Sequence, residues 1–289
     1  MFKNLAPNAV GIHGLSLVDT VDLAREAGFE GVEFSVREAA QIADERGVDG
    51  LRRLFDDVGI RPGHWGLPVA WQGDEERWRA GLADLPRLAK VAAAIGCTRC
   101  ATWVPPGSRE RPLEENLRFH VERFRPIAEA LAAHGCQLGL EFIGPKTLRD
   151  EFPYPFIHRM DQMLDLGERI GTGNVGLLLD AYHVYTSGGS IDDVRHLRPE
   201  QVVVVHVNDA VAGVPRDEQQ DRVRRLPLAS GVIDLAGFMR ALVEIGYDGP
   251  ITVEPFDEQL NALAAENPRA AAAAVAESLG GLWRAAGLG

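Results

Sequence analysis

The segment Val202-Val203-Val204-Val205-His206 is apolar up to its last position, where a histidine stands. Three further segments share this pattern but end in a carboxylate: Leu138-Gly139-Leu140-Glu141, Val175-Gly176-Leu177-Leu178-Leu179-Asp180 and Ile251-Thr252-Val253-Glu254. Short continuous apolar runs are typical of strands in a buried parallel sheet. Burying three carboxylates beside an imidazole has a large desolvation cost unless positive charge lies among them. If these strands are consecutive and parallel, their ends meet on one face, where a divalent cation would supply that charge.

Eight strand-like and eight helix-like segments alternate along the chain. The predicted strands are 8–13, 31–35, 60–66, 99–104, 137–142, 175–180, 202–207 and 250–254, and the predicted helices are 16–28, 37–58, 74–95, 113–134, 159–171, 190–197, 234–246 and 266–285. Glycines follow five of the helices, as expected at helix C-termini: Gly28, Gly59, Gly96, Gly135 and Gly246. This alternation predicts an α/β protein with one (β/α)8 TIM barrel domain over residues 1–289. An open doubly wound sheet is the alternative, but no G-x-G-x-x-G motif follows the first strand.

Composition and charge restrict the class of protein. The net charge of −12 argues against a nucleic-acid or anionic membrane partner, because phosphate binding needs clustered lysine and arginine. The three cysteines are too few for a disulfide framework in a chain of 289 residues, which favours a reducing, cytoplasmic location. No apolar run approaches the ~18 residues of a membrane span.

Three long segments, 104–112, 143–158 and 208–233, follow the fourth, fifth and seventh predicted strands. The connections from helix to strand are short. In a barrel of this kind the segments that follow the strands surround the active site, and long ones are usually functional. The sequence therefore predicts the site on the same face as the four ligand-type residues.

Each of these four residues has an ordinary explanation when it is taken alone. Glu141 could form an ion pair at the rim, Asp180 could cap a turn, His206 could be a hydrogen-bonded core residue and Glu254 could lie in a loop. Together they form a hard, mostly oxygen ligand set without cysteine, which suits Mn²⁺, Mg²⁺ or Co²⁺ and tolerates Zn²⁺. We expect them to bind one divalent cation, with Mn²⁺ preferred.

These residues resemble the xylose isomerase-like TIM barrel superfamily, which includes sugar and keto-polyol isomerases, ketose 3-epimerases, 3-dehydroshikimate dehydratases and the endonuclease IV branch. The resemblance covers nearly the whole chain and is strongest between Gly139 and Phe256. Asp221-Arg222-Val223, followed by Pro227 and Gly231-Val232-Ile233-Asp234, is most similar to the inosose (2-keto-myo-inositol) isomerase type. That type usually shows Pro-Gly-x-Gly, and the first of its glycines is missing here.

The resemblance implies a divalent-metal-dependent isomerase or epimerase of a keto-sugar or keto-inositol. Glu141 and Glu254 match the two carboxylates that move the α-proton through a metal-stabilised enediolate, while also ligating the cation. His183 matches a histidine that contacts a substrate oxygen, and Arg222 matches an arginine that anchors the substrate. The expected partner is a small polyol or keto-sugar, and the sequence leaves a homo-oligomer open.

Residues near other strand ends are weaker candidates for the pocket. His64 lies near the end of the third predicted strand and Trp103 at the end of the fourth, and both could line a sugar site or simply pack in the core. Glu33 near the end of the second strand could hydrogen-bond a ligand residue or the substrate. Cys97 and Cys100 have C-x-x-C spacing but no second pair, which favours a buried structural role.

Three other functions are alternatives to an isomerase. A metal-dependent lyase similar to 3-dehydroshikimate dehydratase is a serious alternative, because it shares the abstraction of an α-proton. An endonuclease IV-like hydrolase is disfavoured by the net charge and by the lack of an Asp-x-His pair after His206. A non-catalytic polyol-binding barrel is disfavoured because binding alone does not need two opposed bases at Glu141 and Glu254.

Overall fold

The computed structural model describes residues 1–289, and its centre is a closed barrel of eight parallel strands. The strands are β1 Phe2–Leu5, β2 Gly31–Glu33, β3 Arg61–Gly66, β4 Arg99–Val104, β5 Gln137–Phe142, β6 Val175–Asp180, β7 Val202–His206 and β8 Pro250–Thr252. The barrel closes where β1 pairs with β8, with Asn4 opposite Thr252. The predicted (β/α)8 architecture is confirmed.

Helices cover the outside of the barrel and connect its strands. They are α1 Leu17–Ala27, α2 Val36–Asp56, α3 Glu75–Ala94, α4 Leu113–Ala132, α5 Lys146–Arg149, α6 Met160–Ile170, α7 Ala181–Thr186, α8 Ile191–Arg195, α9 Leu235–Glu244, α10 Glu258–Glu266 and α11 Pro268–Ala286. The sequence did not predict α5, α7 and α10, which lie within the connections that follow strands. No helix is both long enough and apolar enough to cross a membrane.

The predicted first strand, 8–13, is wrong. The strand that closes the barrel is Phe2–Leu5, and Asn8–Val10 forms a turn of 3₁₀ helix instead. The apolar residues that suggested a strand, Val10 and Ile12, are buried. Their backbone turns back on itself, because the N–H groups of both residues donate to the carbonyl of Pro7. Burial beneath the helical layer, and not pairing in the sheet, explains the apolar pattern.

Helix ends follow the expected capping rules. The predicted C-terminal glycines Gly28, Gly59, Gly96, Gly135 and Gly246 all have positive φ. At Gly28, for example, φ is 81° and the glycine N–H donates to the carbonyls of the last helical turn of α1. A residue with a Cβ is disfavoured in this conformation, which explains the glycine before β2.

Beneath the carboxyl ends of the strands, the barrel contains a small polar network. The side-chain amide of Asn4 lies 3.3 Å from Nδ1 of His64 and donates to Oγ1 of Thr252 at 3.1 Å. All three side chains are buried. Gly63 makes room for Asn4, because a Cβ there would lie 2.0 Å from its Oδ1. The network fixes His64 directly below the face where the strands end.

On that face, two of the long segments are joined. Gly107–Ser108 in the segment after β4 pairs antiparallel with Tyr154–Pro155 in the segment after β5. Gly107 has no space for a side chain, because a Cβ there would lie 2.3 Å from Cβ of Phe152. The two segments therefore form one continuous wall above the barrel.

Candidate active site

The four predicted ligand residues lie together at the carboxyl end of the barrel. Glu141 is the second-last residue of β5, Asp180 ends β6, His206 ends β7, and Glu254 follows β8 by two residues. Asp180 and His206 are opposite each other in the register of the sheet. One ligand atom of each residue lies within 4.8 Å of the others. The parallel arrangement of the strands in the barrel brings these residues to one point.

Several polar atoms of this cluster have no partner. Oε1 of Glu141 and both ring nitrogens of His206 are buried and make no hydrogen bond. Nδ1 of His206 lies 3.8 Å from Oε1 of Glu141 and 3.5 Å from Oε2 of Glu254, which is too far for good hydrogen bonds. An unsatisfied buried polar atom costs about 1–3 kcal/mol. Oε1 of Glu141 and one ring nitrogen of His206 belong to the cluster and fit a divalent cation, since these are donor atoms that such a cation takes.

The proton balance of the cluster is also unusual. Burial, together with the charge of Glu254, raises the pKa of Glu141 well above its ordinary range. Burial opposes the charged form of His206, but Glu254, Glu141 and Asp180 raise its pKa to about 9. Glu254 has a lowered pKa despite its burial, because His206 and Arg224 stabilise its negative charge. Without a cation, protons on Glu141 and His206 therefore reduce the repulsion between the carboxylates.

Arg224 supplies a fixed positive charge beside the cluster. Its guanidinium is buried, and Nη1 donates to Oδ2 of Asp180 at 2.8 Å and to Oε2 of Glu254 at 3.3 Å. Nη2 donates to Oδ1 of Asp221 at 3.0 Å. One guanidinium cannot balance four neighbouring carboxylates, so the charge of the site still favours an additional cation.

Arg222, which the sequence singled out, lies two residues away in a different environment. It is exposed at the rim of the cavity and forms no ion pair, whereas Arg224 points into the cluster. Arg225, the next residue, pairs its backbone with Asp209. The sequence offered four arginines between 216 and 225 and no signal to show which one would be turned inward.

Asp209 explains how the segment after β7 holds Arg224 in place. Its buried carboxylate accepts four backbone N–H groups, those of Ala210, Ser230, Gly231 and Ile233, at 2.7–3.1 Å. Its backbone also exchanges two hydrogen bonds with Arg225. Charge-assisted hydrogen bonds of this kind offset the cost of burying a carboxylate. Asp209 thus joins both ends of the segment, a role that no pattern in the sequence indicated.

Asn208 connects two of the ligand residues. Its Nδ2 donates to Oδ2 of Asp180 at 3.2 Å, and its Oδ1 accepts the backbone N–H of Glu254 at 2.6 Å. The remaining oxygen of Asp180 accepts the N–H of Tyr182 at 2.7 Å, which begins helix α7. These contacts fix the orientation of Asp180 and the backbone of Glu254. In the sequence, Asn208 belongs to a His-x-Asn-Asp pattern that follows β7. The pattern alone does not indicate which groups the Asn208 side chain contacts.

His183 is fully buried beside the cluster. The backbone N–H of Gly144 donates to its Nδ1 at 3.2 Å, and Nη2 of Arg224 lies 3.1 Å from its Nε2. Nε2 lies 3.7 Å from Oε1 of Glu141 and 3.7 Å from Oδ1 of Asp221. Burial and the nearby charge of Arg224 lower the pKa of His183 to about 3. The ring is therefore neutral at pH 7 and lies against the guanidinium of Arg224.

The weaker candidates differ in position. His64 is buried below the cluster, with its ring centroid 6.2 Å from that of His206 and its Nε2 3.8 Å from Oε2 of Glu33. Burial lowers the pKa of His64 to about 3 and raises that of Glu33 to about 7. Trp103 is 46% exposed and forms part of the cavity wall, so it does not pack in the core.

Above the cluster, a cavity of about 880 Å³ opens to solvent. Glu141, Glu254, Asp221 and Arg224 form its inner end. The joined segments after β4 and β5 form much of its outer wall, including Arg109, Glu151 and Phe152. The cavity gives a small molecule access to the two glutamates.

Comparison with known proteins agrees with this architecture. Residues 21–280 match the family model described as xylose isomerase-like TIM barrel. An inosose isomerase of Bacillus velezensis is 22% identical over 261 residues, which cover 89% of this chain and 90% of that protein. An L-ribulose 3-epimerase of Mesorhizobium japonicum is 23% identical over 271 residues, with 87% and 82% covered. A 3-dehydroshikimate dehydratase of Pseudomonas aeruginosa is 28% identical over 142 residues, which are 49% of this chain but 21% of that protein.

Two solved structures share the fold. A xylose isomerase domain protein from Alicyclobacillus acidocaldarius has 31% sequence identity and a TM-score of 0.83, with 99% of each chain covered. A structure of the IolI protein with a bound zinc atom has 18% identity and a TM-score of 0.76, with 99% of this chain and 98% of that chain covered. At the second identity, the similarity shows the fold alone.

Proposed function

The chain belongs to the xylose isomerase-like TIM barrel family, and on that premise we propose that it is a divalent-metal-dependent isomerase or epimerase of a keto-sugar or keto-inositol. The single observation that carries this proposal is the position of two glutamates, Glu141 and Glu254, in one metal-type cluster at the inner end of the cavity. A site that only bound a polyol would not need two carboxylates at the reacting end.

The proposed ligands are Glu141, Asp180, His206 and Glu254, and Mn²⁺ is the favoured cation because three of these four ligands are carboxylates. When bound, the cation would act as a Lewis acid towards a carbonyl oxygen of the substrate and keep the glutamates ionised. The IolI structure holds a zinc atom, so zinc is accepted in that protein. Metal analysis of the purified chain would identify the ion that it binds.

Glu254 and Glu141 are the proposed proton-transfer residues. The carboxylate of Glu254 is held by Arg224 and is partly open to the cavity, with its side chain 22% exposed. Glu141 is more buried and lies on the other side of the cluster, next to His183. One carboxylate can remove the proton beside the ketone while the other returns a proton, which is what isomerisation and epimerisation require.

Side chains around the glutamates would orient the substrate. The imidazole of His183 is proposed to contact a substrate oxygen, and the guanidinium of Arg224 is proposed to hold His183 and Glu254 in position. Arg222 at the rim is proposed to contact the part of the substrate that is nearest to solvent. Trp103 offers an exposed ring face for the C–H groups of a sugar, and His64 is proposed to support His206 from below.

The experiment that tests the proposal combines metal analysis with proton exchange. The purified protein, stripped of metal and then supplied with Mn²⁺, is incubated in D₂O with inososes, ketohexoses and 3-dehydroshikimate. We expect Mn²⁺-dependent exchange of the α-proton and formation of an isomer or epimer from at least one keto-sugar or inosose. The proposal fails if the protein binds no divalent cation, or if no keto compound exchanges with Mn²⁺ bound.

A lyase is the second candidate, because one relative is named 3-dehydroshikimate dehydratase. Abstraction of an α-proton is also the first step of such an elimination, so the same glutamates would serve. The same experiment separates the two reactions. Loss of water from 3-dehydroshikimate, without turnover of keto-sugars or inososes, would assign the protein to the lyases.

A further inference from the structure

The cavity above the metal-type cluster is larger than one sugar ring requires. Its volume of about 880 Å³ is near the upper end of the ~300–1,000 Å³ typical of small-molecule sites. A single six-membered ring placed at Glu141 and Glu254 would leave much of it empty. The remaining space has its own wall, which we call the distal pocket and define by Trp71, Ser108, Arg111, Asn116, Phe119 and His120.

An unpartnered hydrogen-bond acceptor lies in the distal pocket. His120 is 3% exposed, and its Nδ1 donates to the backbone carbonyl of Asn116 at 2.7 Å. Its Nε2 therefore carries a lone pair, and this buried atom has no partner in the protein. Burial lowers the pKa of His120 to about 4, so the ring stays neutral and Nε2 stays an acceptor at pH 7. An unsatisfied acceptor of this kind indicates a ligand with a hydrogen-bond donor.

Asn116 and Ser108 provide further polar groups. Asn116 lies one helical turn before His120 on α4, is 3% exposed and lines the cavity, and its side-chain amide makes none of the protein's hydrogen bonds. The hydroxyl oxygen of Ser108 accepts the backbone N–H groups of Glu110 and Arg111 at 3.2 and 2.9 Å, which leaves its proton free to donate. The distal pocket therefore combines an acceptor, an amide and a hydroxyl.

Aromatic rings surround these polar groups. The ring centroid of Trp71 lies 5.2 Å from that of His120, and the ring of Phe156 stacks on the imidazole with 4.6 Å between centroids. The guanidinium of Arg111 lies 4.1 Å from the centre of the Phe119 ring. Aromatic faces beside a few uncharged hydrogen-bonding groups suit a sugar ring, which has apolar C–H faces and polar edges. The charge of Arg111 is already paired with Glu110, with 3.7 Å between Nη2 and Oε2, and an anionic group would meet the lone pair of His120, so the pocket favours a neutral ligand.

We infer that the distal pocket binds a second, neutral sugar ring, so that the substrate is a keto-glycoside of disaccharide size. The reacting ring would lie at Glu141 and Glu254, and the second ring would place hydroxyl groups on His120 and Asn116. This inference rests on the proposed function for the identity of the reacting ring. The evidence for the second ring comes from side chains that take no part in the metal-type cluster.

Binding measurements test the inference without requiring turnover. The probes are the keto-disaccharides turanose, isomaltulose and lactulose, with D-fructose, the ketose half of each, as the reference. We expect calorimetry on the Mn²⁺-loaded protein to show at least one disaccharide binding about tenfold or more tightly than fructose. His120→Phe should remove most of that advantage and leave fructose binding unchanged, and His120→Gln, which restores an acceptor oxygen, should recover part of it.

A matched control and a replacement variant make the result interpretable. His158→Phe is the matched variant, because His158 also contacts a backbone carbonyl through Nδ1, at 3.0 Å, but lies outside the cavity wall; it should leave both affinities unchanged. If His120→Phe does not fold, as judged by thermal unfolding, Asn116→Leu replaces it, with the same expected loss of disaccharide binding.

The outcomes separate this inference from the proposed function. Equal affinity for fructose and all three disaccharides overturns the second-ring site, even if keto-sugars exchange their α-proton. Much tighter binding of an aromatic fructoside than of any disaccharide also overturns it, because the pocket would then take an aromatic group. Disaccharide binding that depends on His120, with no proton exchange in any keto compound, supports the second-ring site while the proposed isomerase reaction fails.

Discussion

Arg224 and Asp180 form a fully buried ion pair, with 2.8 Å between Nη1 and Oδ2 and side chains that are 2% and 0% exposed. Removing one partner of such a pair leaves the other charge buried without compensation. The pair therefore links the stability of the protein to the charge at the proposed metal site.

Arg224→Met should lower the free energy of unfolding of the metal-free protein by about 3 kcal/mol, because Asp180 and Glu254 lose their cation. Arg222→Met is the matched control and should change it by less than about 0.5 kcal/mol, since Arg222 is exposed and forms no ion pair. Urea unfolding gives both values. Similar losses in the two variants would mean that the Arg224 pair is not a main source of stability.

In steady-state kinetics, Arg222→Met should raise KM more than it lowers kcat if Arg222 contributes binding at the rim.

Glu254→Gln should lower turnover by ~10² or more, because the amide keeps the shape of the side chain but cannot accept the α-proton. Exchange of the substrate α-proton with D₂O is the direct measurement, with metal content checked in parallel. Glu151→Gln is the control, since Glu151 lines the same cavity away from the metal-type cluster and should retain full exchange. Undiminished exchange in Glu254→Gln would assign the base to another residue.

Mn²⁺ affinity should rise with pH between about 6 and 9. The pKa of His206 is raised to about 9, so its ring holds a proton at the lower end of this range, and the raised pKa of Glu141 acts in the same direction. A cation must displace any proton held by its ligands, and affinity should increase roughly tenfold per pH unit for each proton released. Calorimetry in two buffers with different ionisation enthalpies counts the protons. An affinity that does not vary over this range would exclude both groups as protonated ligands.

Leu228→Gly should stabilise the protein by up to about 1 kcal/mol. Leu228 follows Pro227, where the related motif has its first glycine, and it adopts a φ of 66°. The left-handed conformation costs a residue with a Cβ about 1–2 kcal/mol, which exceeds the entropy that a glycine loses on folding. Because the Leu228 side chain is 41% exposed, its removal sacrifices little packing. Thermal unfolding measures the difference, and Ala229→Gly at the next position, which has no positive φ, should be destabilising.

The sequence predicted the parts of this protein that depend on strand patterning. The runs ending at Glu141, Asp180 and His206 are buried on all sides, so their composition is continuous and their last residues stand out. The strand Phe2–Leu5 was missed because it is short and places the polar Asn4 inside the barrel. A polar residue in so short an apolar run is also typical of a loop. The hydrogen bond from Asn4 to Thr252, which explains the polar residue, is visible only in the structure.

The residues missed around the site depend on contacts between distant segments. Arg224, Asn208 and Asp209 gain their roles from hydrogen bonds to side chains or backbone that lie 20 or more residues away in most cases. His120 lies on the inner face of a helix, where a single histidine is no different from a core residue. Periodicity reports local structure, and it carries no information about which polar side chain will meet which partner.

The attachment of both ends of segment 208–233 at Asp209 has a consequence for how this protein can change. Residues between Ala210 and Arg225 form a closed loop whose base is the backbone pairing of Asp209 with Arg225, and lengthening a closed loop has only a small entropic cost. Insertions or exchanges in its outer part, near Gly213, would therefore leave Arg224 and the ligands in place. Exchanges at Gln220 and Arg222, which line the cavity, can alter its entrance while the reaction centre stays constant, which would let one barrel acquire new substrates through changes in a single stretch of chain.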